Sequence, residues 1–431
     1  MKNIMDYLDW RGDLTFAQSP LNEVDCYILC KLGSPDFTQI IPRNGGVSIT
    51  TAVEKYFEER GENAQKLGVL ISPQVVPMIR RLPSLPRFQG LMLRDFVNSI
   101  DHERGKQFSA LTIELPDGAR FVTFRGTDDT LVAWKEDLMF SVEEEVPAQE
   151  DAKAYLLSEA LRAPGTLLVG GHSKGGNLAV YAAMRLPEAM LGRLKAVYNF
   201  DGPGFRESPF ERPEYQRIKP KLHTVVSQYT IVGTLLWNEK DQEIVRDDRA
   251  GMVAQDGFHW EVRGTRFARC EELSLSSRSF ASAMSEIEAQ MSFEERRAFI
   301  ASLFTVLEST GAVTLTDLTE QSLRQAAAMA QTLVKDGRVR GFLLSLLNQM
   351  LRVTVSNVSG PVRGRLRMFR RGGKRKAVQE GEPADALQNP AVADEQDKPD
   401  ESDAPAVPQT LENPQECGAN GAPTAEEETE H

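Results

Sequence analysis

The chain is poor in the residues that would mark a stapled or metal-built protein. Its four cysteines, Cys26, Cys30, Cys270 and Cys417, are scattered over 431 residues with no CxxC pair and no matching histidine cluster. That pattern argues against a disulfide framework and a zinc module, and the four read as free thiols. Long apolar runs are missing too. The strongest patch, Phe342–Leu347, falls far short of the ~20 residues that span a bilayer. The opening MKNIMDYLDWRGDLTF has acids and a tryptophan where a secretory leader needs a basic start and an unbroken apolar stretch. A cytoplasmic location is therefore expected. Histidine is scarce, with five in all, so a reaction that needs an imidazole has few places to find one.

Charge is present but unevenly spread. Positions 363–376 hold eight Arg or Lys and no acid, while 377–431 hold fifteen acids against one Lys. The net −12 thus leaves −6 on residues 1–362. A mildly acidic folded part argues against nucleic-acid binding. Composition divides the chain into four stretches. Residues 1–275 alternate β-rich runs with helical patterns, as an α/β sheet does. Residues 276–362 form a helical extension, with apolar positions at Phe299, Leu303, Val306 and Leu307 and again at Leu343, Leu346, Leu347, Met350 and Leu351. A basic linker follows at 363–376. The tail, 377–431, is biased to Pro, Ala, Glu, Asp and Gln; it cannot bury enough surface to offset its ordering entropy and is expected to be disordered. The basic linker after the amphipathic 341–352 suits peripheral contact with an anionic membrane, at ~1 kcal/mol per basic residue near the lipid. A solvated linker neutralised by the acidic tail is the competing account.

Within the first stretch, SALTIEL (109–115) and ARFVTF (119–124) flank Pro116-Asp117-Gly118 and predict a hairpin. Helical spacing over 149–162 stops at Pro164-Gly165. The buried strand TLLVGG (166–171), a helix over 174–186, and the strands KAVYNF (195–200) and LHTVVS (222–227) follow. Between the TLLVGG strand and its helix lies Gly171-His172-Ser173-Lys174-Gly175. It matches GxSxG, the nucleophile elbow, in which flanking glycines remove the Cβ atoms that would collide as the chain reverses. At this glycine content the string arises by chance in roughly one chain in seven, so the strand before it and the Ala-rich helix after it decide the reading. The Lys174 amide is one oxyanion donor, and its side chain is expected to lie over the helix surface. The second donor should come from the loop after the hairpin's inner strand, where Gly126 and Thr127 sit.

FVTFRGT (121–127) together with GGHSKGG (170–176) closely resembles the class 3 lipase family. There an FRG[ST] segment precedes the elbow by a few dozen residues, and its closing Ser or Thr serves the oxyanion hole. The resemblance thus implies Thr127 for that role. Trp134 and Asp137 resemble the family's W-x-x-D region and imply a structural part. Over roughly residues 1–270, NEVDCYIL (22–29), NFDGPGF (199–205), SQYTIVGTLL (227–236) and FHW (258–260) resemble a bacterial family of unknown function related to those lipases. Lys174 departs from the usual Leu of class 3 lipases.

A serine hydroxyl needs a base to take its proton. His431 is on the tail, His102 precedes the elbow, His172 points away within the turn, and His223 begins a core strand. His259 remains, in a loop after the last predicted strand, where α/β-hydrolases keep the base. In class 3 lipases the acid sits in a segment that reads Tyr229-Thr230-Ile231-Val232-Gly233 here, without a carboxylate. Asp201, directly after KAVYNF, gives the chain order Ser173, Asp201, His259 and is the favoured acid; the competing reading is that it fixes the DGPG turn, with Asp247 or Asp248 as the fallback acids. The expectation is an α/β-hydrolase fold with a mostly parallel sheet, and a serine esterase of ester or lipid-like substrates using no cofactor and no metal. The competing class is an inactive hydrolase-fold scaffold, and residues 206–220 are a candidate cover for the site.

Overall fold

Pro116-Asp117-Gly118 reverses the chain in the way its turn chemistry requires. Asp117 accepts from the Ala119 amide at 3.0 Å and Gly118 takes φ 81°, a left-handed value at which a Cβ would be strained. The hairpin joins Lys106–Glu114 to Arg120–Phe124, with Glu114 opposite Arg120. In this computed structural model the described residues are 2–68, 70–239, 241–249, 255–333, 337, 340, 341 and 344. The apolar positions Leu343, Leu346, Leu347, Met350 and Leu351, the basic linker and the acidic tail lie outside them.

Eight strands form one sheet in sequence order: β1 (Gly46–Ser48), β2 (Met92–Asp101), β3 (Lys106–Glu114), β4 (Arg120–Phe124), β5 (Leu167–His172), β6 (Leu194–Phe200), β7 (Leu222–Ser227) and β8 (Glu243–Val245). The strands β4 to β8 run parallel, whereas β1 to β4 pair antiparallel, so the sheet is parallel over its catalytic-candidate half only. Register matters for the site. Phe124 lies beside Gly171, His172 beside Phe200, and Phe200 beside Val225. The segments that follow β4, β5 and β6 therefore emerge side by side at the carboxyl edge, where open α/β sheets bind ligands.

Helices α1 (Ile4–Arg11), α2 (Glu23–Leu32), α3 (Ile49–Arg60) and α4 (Val75–Arg81) precede β2, and α5 (Leu131–Met139), α6 (Pro147–Arg162) and α7 (Lys174–Met184) lie between β4 and β6. The β-strand alternation of β5 serves both sheet faces. Leu167 and Val169 pack in the cluster with Leu178, Ala182 and Leu156 of α7 and α6, while Leu168 joins Tyr27, Ile28 and Phe121 on the α2 side. Short α8 (Glu188–Leu191) and α9 (Pro213–Ile218) flank β6. The fold ends with α10 (Leu275–Gln290), α11 (Phe293–Glu308) and α12 (Glu320–Leu333).

The helical extension is not a free appendage. Leu303, Phe304, Val306 and Leu307 of α11 are buried in one cluster with Leu131 of α5 and Val142. Beyond α11 the chain straps onto the loop that leads into α5: the Leu131 amide donates to Val313 O at 2.9 Å and the Leu315 amide to Asp129 O at 2.8 Å.

At the other end, a buried ion pair ties α2 to the segment between α4 and β2, and a tyrosine of α1 joins it. Asp25, the third residue of α2, accepts from Arg87 Nε at 2.7 Å and Nη2 at 2.5 Å, from Tyr7 OH at 2.9 Å and from the Asn22 amide at 3.0 Å. Both charged side chains are fully buried. Arg87 also donates to Leu14, Ser19 and Pro20 carbonyls. Arg87→Met strands the Asp25 charge in the interior and is expected to cost about 3–5 kcal/mol, read as a drop in the urea midpoint at unchanged m-value. A midpoint within experimental scatter of the parent would show the pair to be dispensable.

Candidate active site

Ser173 stands alone between β5 and α7 with φ 57° and ψ −133°. That is a costly conformation for a non-glycine residue, about 1–3 kcal/mol, and it persists only where the surroundings enforce it. The enforcement is steric. A Cβ on Gly171 would fall on the Gly175 carbonyl, and one on Gly175 on the Phe124 carbonyl. The two glycines let β4, β5 and the first turn of α7 close together. Gly126 extends the same packing: its Cβ would lie 2.8 Å from His172 O and 3.3 Å from Ser173 Cβ. The FRGT loop is thus laid directly on the serine.

The partner of Ser173 Oγ is Gln255, whose Nε2 donates at 2.8 Å. Gln255 is held in turn by His172, which accepts from Lys31 Nζ on Nδ1 (3.1 Å) and so carries its proton on Nε2, which donates to Gln255 O at 2.6 Å. Burial, reinforced by the Lys31 cation, pushes His172 well below the ordinary imidazole range, so its ring is neutral. Burial likewise lowers Lys31. Tyr27 completes the support, accepting from the Gly257 amide at 2.9 Å and packing its ring against His172, Phe200 and Trp260. Spacing offered no sign of Gln255. Lys31 did leave a trace, as a cation closing the otherwise apolar CYILCKL of α2.

His259 lies four residues beyond Gln255, in a short turn over Gly257–His259. Its Nδ1 is 3.3 Å from Asp248 Oδ1, and its Nε2 is 3.9 Å from Asp256 Oδ2. Asp248 is thus the carboxylate beside the ring. Asp201 sits at the end of β6 with φ 53° and faces elsewhere, accepting from Thr230 Oγ1 at 2.5 Å. Asp247 accepts from Ser227 Oγ at 2.9 Å and from the Arg249 amide at 2.8 Å. Burial raises Asp247 to about 6, against the pull of those hydrogen bonds and of His259. The structure brings Ser173 together with Gln255 and His259 with Asp248; in these contacts it joins neither His259 nor Asp201 to the serine.

Lys174 corrects the sequence expectation for its side chain. Rather than lying over the helix surface, it is 2% exposed and turns inward, donating to Gln107 O at 2.8 Å and Glu136 Oε2 at 2.9 Å. The burial is tolerated because Glu136 is itself satisfied, accepting from the Gln107 amide at 3.0 Å and the Ala148 amide at 2.8 Å. Next to it, Asp137 Oδ2 accepts from Thr127 Oγ1 at 2.5 Å. Trp134 packs against the α11 cluster. Among the described residues no group of three His, Cys, Asp or Glu is arranged to hold a metal ion, and no helix is long and apolar enough to cross a membrane.

Sheet, serine turn and flanking loop together define an α/β protein in which Ser173 stands between a parallel strand and the helix that follows it. The chain belongs to the Mbeg1-like family, whose model matches residues 82–305, just over half its length. No curated protein matches it. Among solved structures it is similar to one described as the crystal structure of M37 lipase, at 13% identity and a TM-score of 0.33, covering 62% of this chain and 79% of that one. Tyr27 and Lys31 lie outside the matched span, as do the strap residues 313–316.

Asp201 is completely buried, and one of its oxygens, Oδ2, has no hydrogen-bond partner. Burial raises its carboxyl to about 7, offset in part by Thr230 and increased by Asp247. An unfolded chain ionises this group from about pH 3.9 upward. The folded chain therefore holds the extra proton between about 4 and 7, and the stability it contributes is lost as pH rises through 7. Asp201→Asn escapes that loss. Its Tm is expected to exceed the parent's above pH 7, with the advantage shrinking toward pH 4; a difference that does not vary with pH would contradict the assignment.

Proposed function

We propose that the protein is a serine hydrolase of carboxylic esters that works through an acyl-enzyme on Ser173. The observation that carries this reading is the strained backbone at Ser173, held by glycines that admit no Cβ, with the FRGT loop packed on it. In the proposed reaction Ser173 Oγ attacks the ester carbonyl carbon and His259 Nε2 takes its proton. The oxyanion is met by the amides of Thr127 and Lys174. Collapse breaks the C–O bond, and the leaving alcohol takes the proton from His259. Water, deprotonated by the same ring, then releases the acid. For the ring to act, the Gln255 side chain must yield its place on Ser173 Oγ; tightening of such contacts on substrate binding is common.

Asp248 is the acid favoured here, because it faces His259 Nδ1 and leaves Nε2 for the serine. Asp201 is the alternative; its engagement with Thr230 and its raised carboxyl weigh against it. A second reading, an inactive hydrolase-fold scaffold, is favoured by the Gln255 contact itself, since an amide rather than an imidazole caps the nucleophile. Contact of residues 363–376 with an anionic membrane is proposed only from their charge.

A fluorophosphonate probe separates the enzyme from the scaffold. Labelling of the folded parent that disappears in Ser173→Ala is expected, with turnover of any accepted ester falling on the order of 10⁶-fold; an unlabelled folded parent points to the scaffold. Asp248→Asn is expected to cost about 10⁴ in kcat, and Asp201→Asn less than about tenfold. The reverse order would return the acid to Asp201. Flotation with phosphatidylserine vesicles is expected to be salt-sensitive and to vanish when the eight basic residues of 363–376 are neutralised; recovery only in the unbound fraction leaves the segment a linker.

A further inference from the structure

In an elbow of this kind the residue after the serine is required only for its backbone N–H. Here its side chain is committed as well. The Lys174 side chain is 1% exposed and its ammonium, besides meeting Gln107 O and Glu136, lies 3.9 Å from Asp137 Oδ1. Asp137 in turn receives the Thr127 hydroxyl. The two residues whose amides would serve the oxyanion are therefore linked through one half-buried carboxyl, whose Oδ1 faces inward. We propose that Lys174 is a positioning residue for the oxyanion hole: its buried ammonium keeps Asp137 in the carboxylate form that fixes the Thr127 side chain, and so aims the Thr127 amide. The role rests on the hydrolase reading above.

Several observations support a chain of dependence rather than simple packing. Glu136 is saturated by two amides and Lys174, so it does not need Asp137. Asp137 Oδ1 is buried with no hydrogen-bond partner, and the nearby cation is what compensates it. The charged groups facing Asp137 are Lys174 from α7, its neighbour Glu136 on α5, and Asp128 from the loop after Thr127; the two acids oppose its ionisation and Lys174 favours it. The enclosure of its Oδ1 outweighs Lys174 and the Thr127 hydroxyl and raises the carboxyl to about 6, although a third of the side chain still meets solvent. With Asp137 ionised, the single Thr127 hydroxyl proton is committed to it. Protonation of Asp137 releases that commitment, and the loop loses its anchor.

The test is the pH dependence of fluorophosphonate labelling at Ser173 in the full chain, alongside the ¹³C carboxyl resonance of Asp137, assigned by its absence in Asp137→Asn. In the parent, labelling is expected to fall on the acid side more steeply than one histidine proton allows. Asp137→Asn should leave only the single-proton limb. Lys174→Met should move the steeper limb and the Asp137 midpoint upward by about half a pH unit or more. If Lys174→Met does not fold, Lys174→Met with Glu136→Gln removes the stranded charge and carries the same expectation. A limb and a midpoint that both stay in place overturn the role of Lys174 while leaving the hydrolase intact. A folded parent that is not labelled at any pH removes the hydrolase, and the positioning role with it.

Discussion

No side chain fits where β4, β5 and α7 meet. Gly171, Gly175 and Gly126 each sit so close to a neighbouring carbonyl that a Cβ could not be accommodated, and that exclusion forces the backbone at Ser173 into its positive-φ turn. Everything else at the carboxyl edge of the sheet is arranged around this point. The FRGT loop is brought onto the serine by the same packing. The β5–β6 register sets Asp201 beside the elbow, and Asp201 adopts a left-handed backbone of its own, which a short polar side chain tolerates better than most.

Three of the buried charges among the described residues are each compensated in a different way. Asp25 and Arg87 satisfy one another bidentately, with carbonyls and a tyrosine filling the remaining positions. Lys174 and Glu136 form a second complete set. Lys31 reaches the neutral His172 ring as its hydrogen-bond partner among the described residues, and burial lowers its affinity for a proton. The first two are suited to fixing geometry. The third keeps His172 in one tautomer and thereby sets where the Gln255 carbonyl, and with it the serine's neighbour, can sit.

Local signals carried much of this. The turn at 116–118, the strand TLLVGG, the helix after Ser173 and the strands at 195–200 and 222–227 fall within a residue or two of their predicted bounds, because turn chemistry and buried β-branched or aliphatic runs act over short distances. The hairpin's first strand starts three residues earlier than predicted. The apolar spacing of Phe299, Leu303, Val306 and Leu307 marked the buried face of α11 for the same reason. What spacing could not carry was pairing across the chain. Gln255 reaching Ser173, Asp248 rather than Asp201 beside His259, and the inward turn of Lys174 toward a glutamate 38 positions away are products of tertiary packing. The short edge strands β1 and β8, and the antiparallel half of the sheet, likewise depend on partners remote in sequence.

The strap formed by residues 313–316 runs past the end of the region shared with the family, which closes at 305. It grips Asp129 and Leu131, only two to four positions after Thr127. Part of what holds this loop therefore comes from chain that the family match does not cover. The loop after β4 is thus held from two directions, by the Asp137 contact inside the matched span and by a backbone clasp outside it, so loosening α11 would be felt a few residues from Ser173.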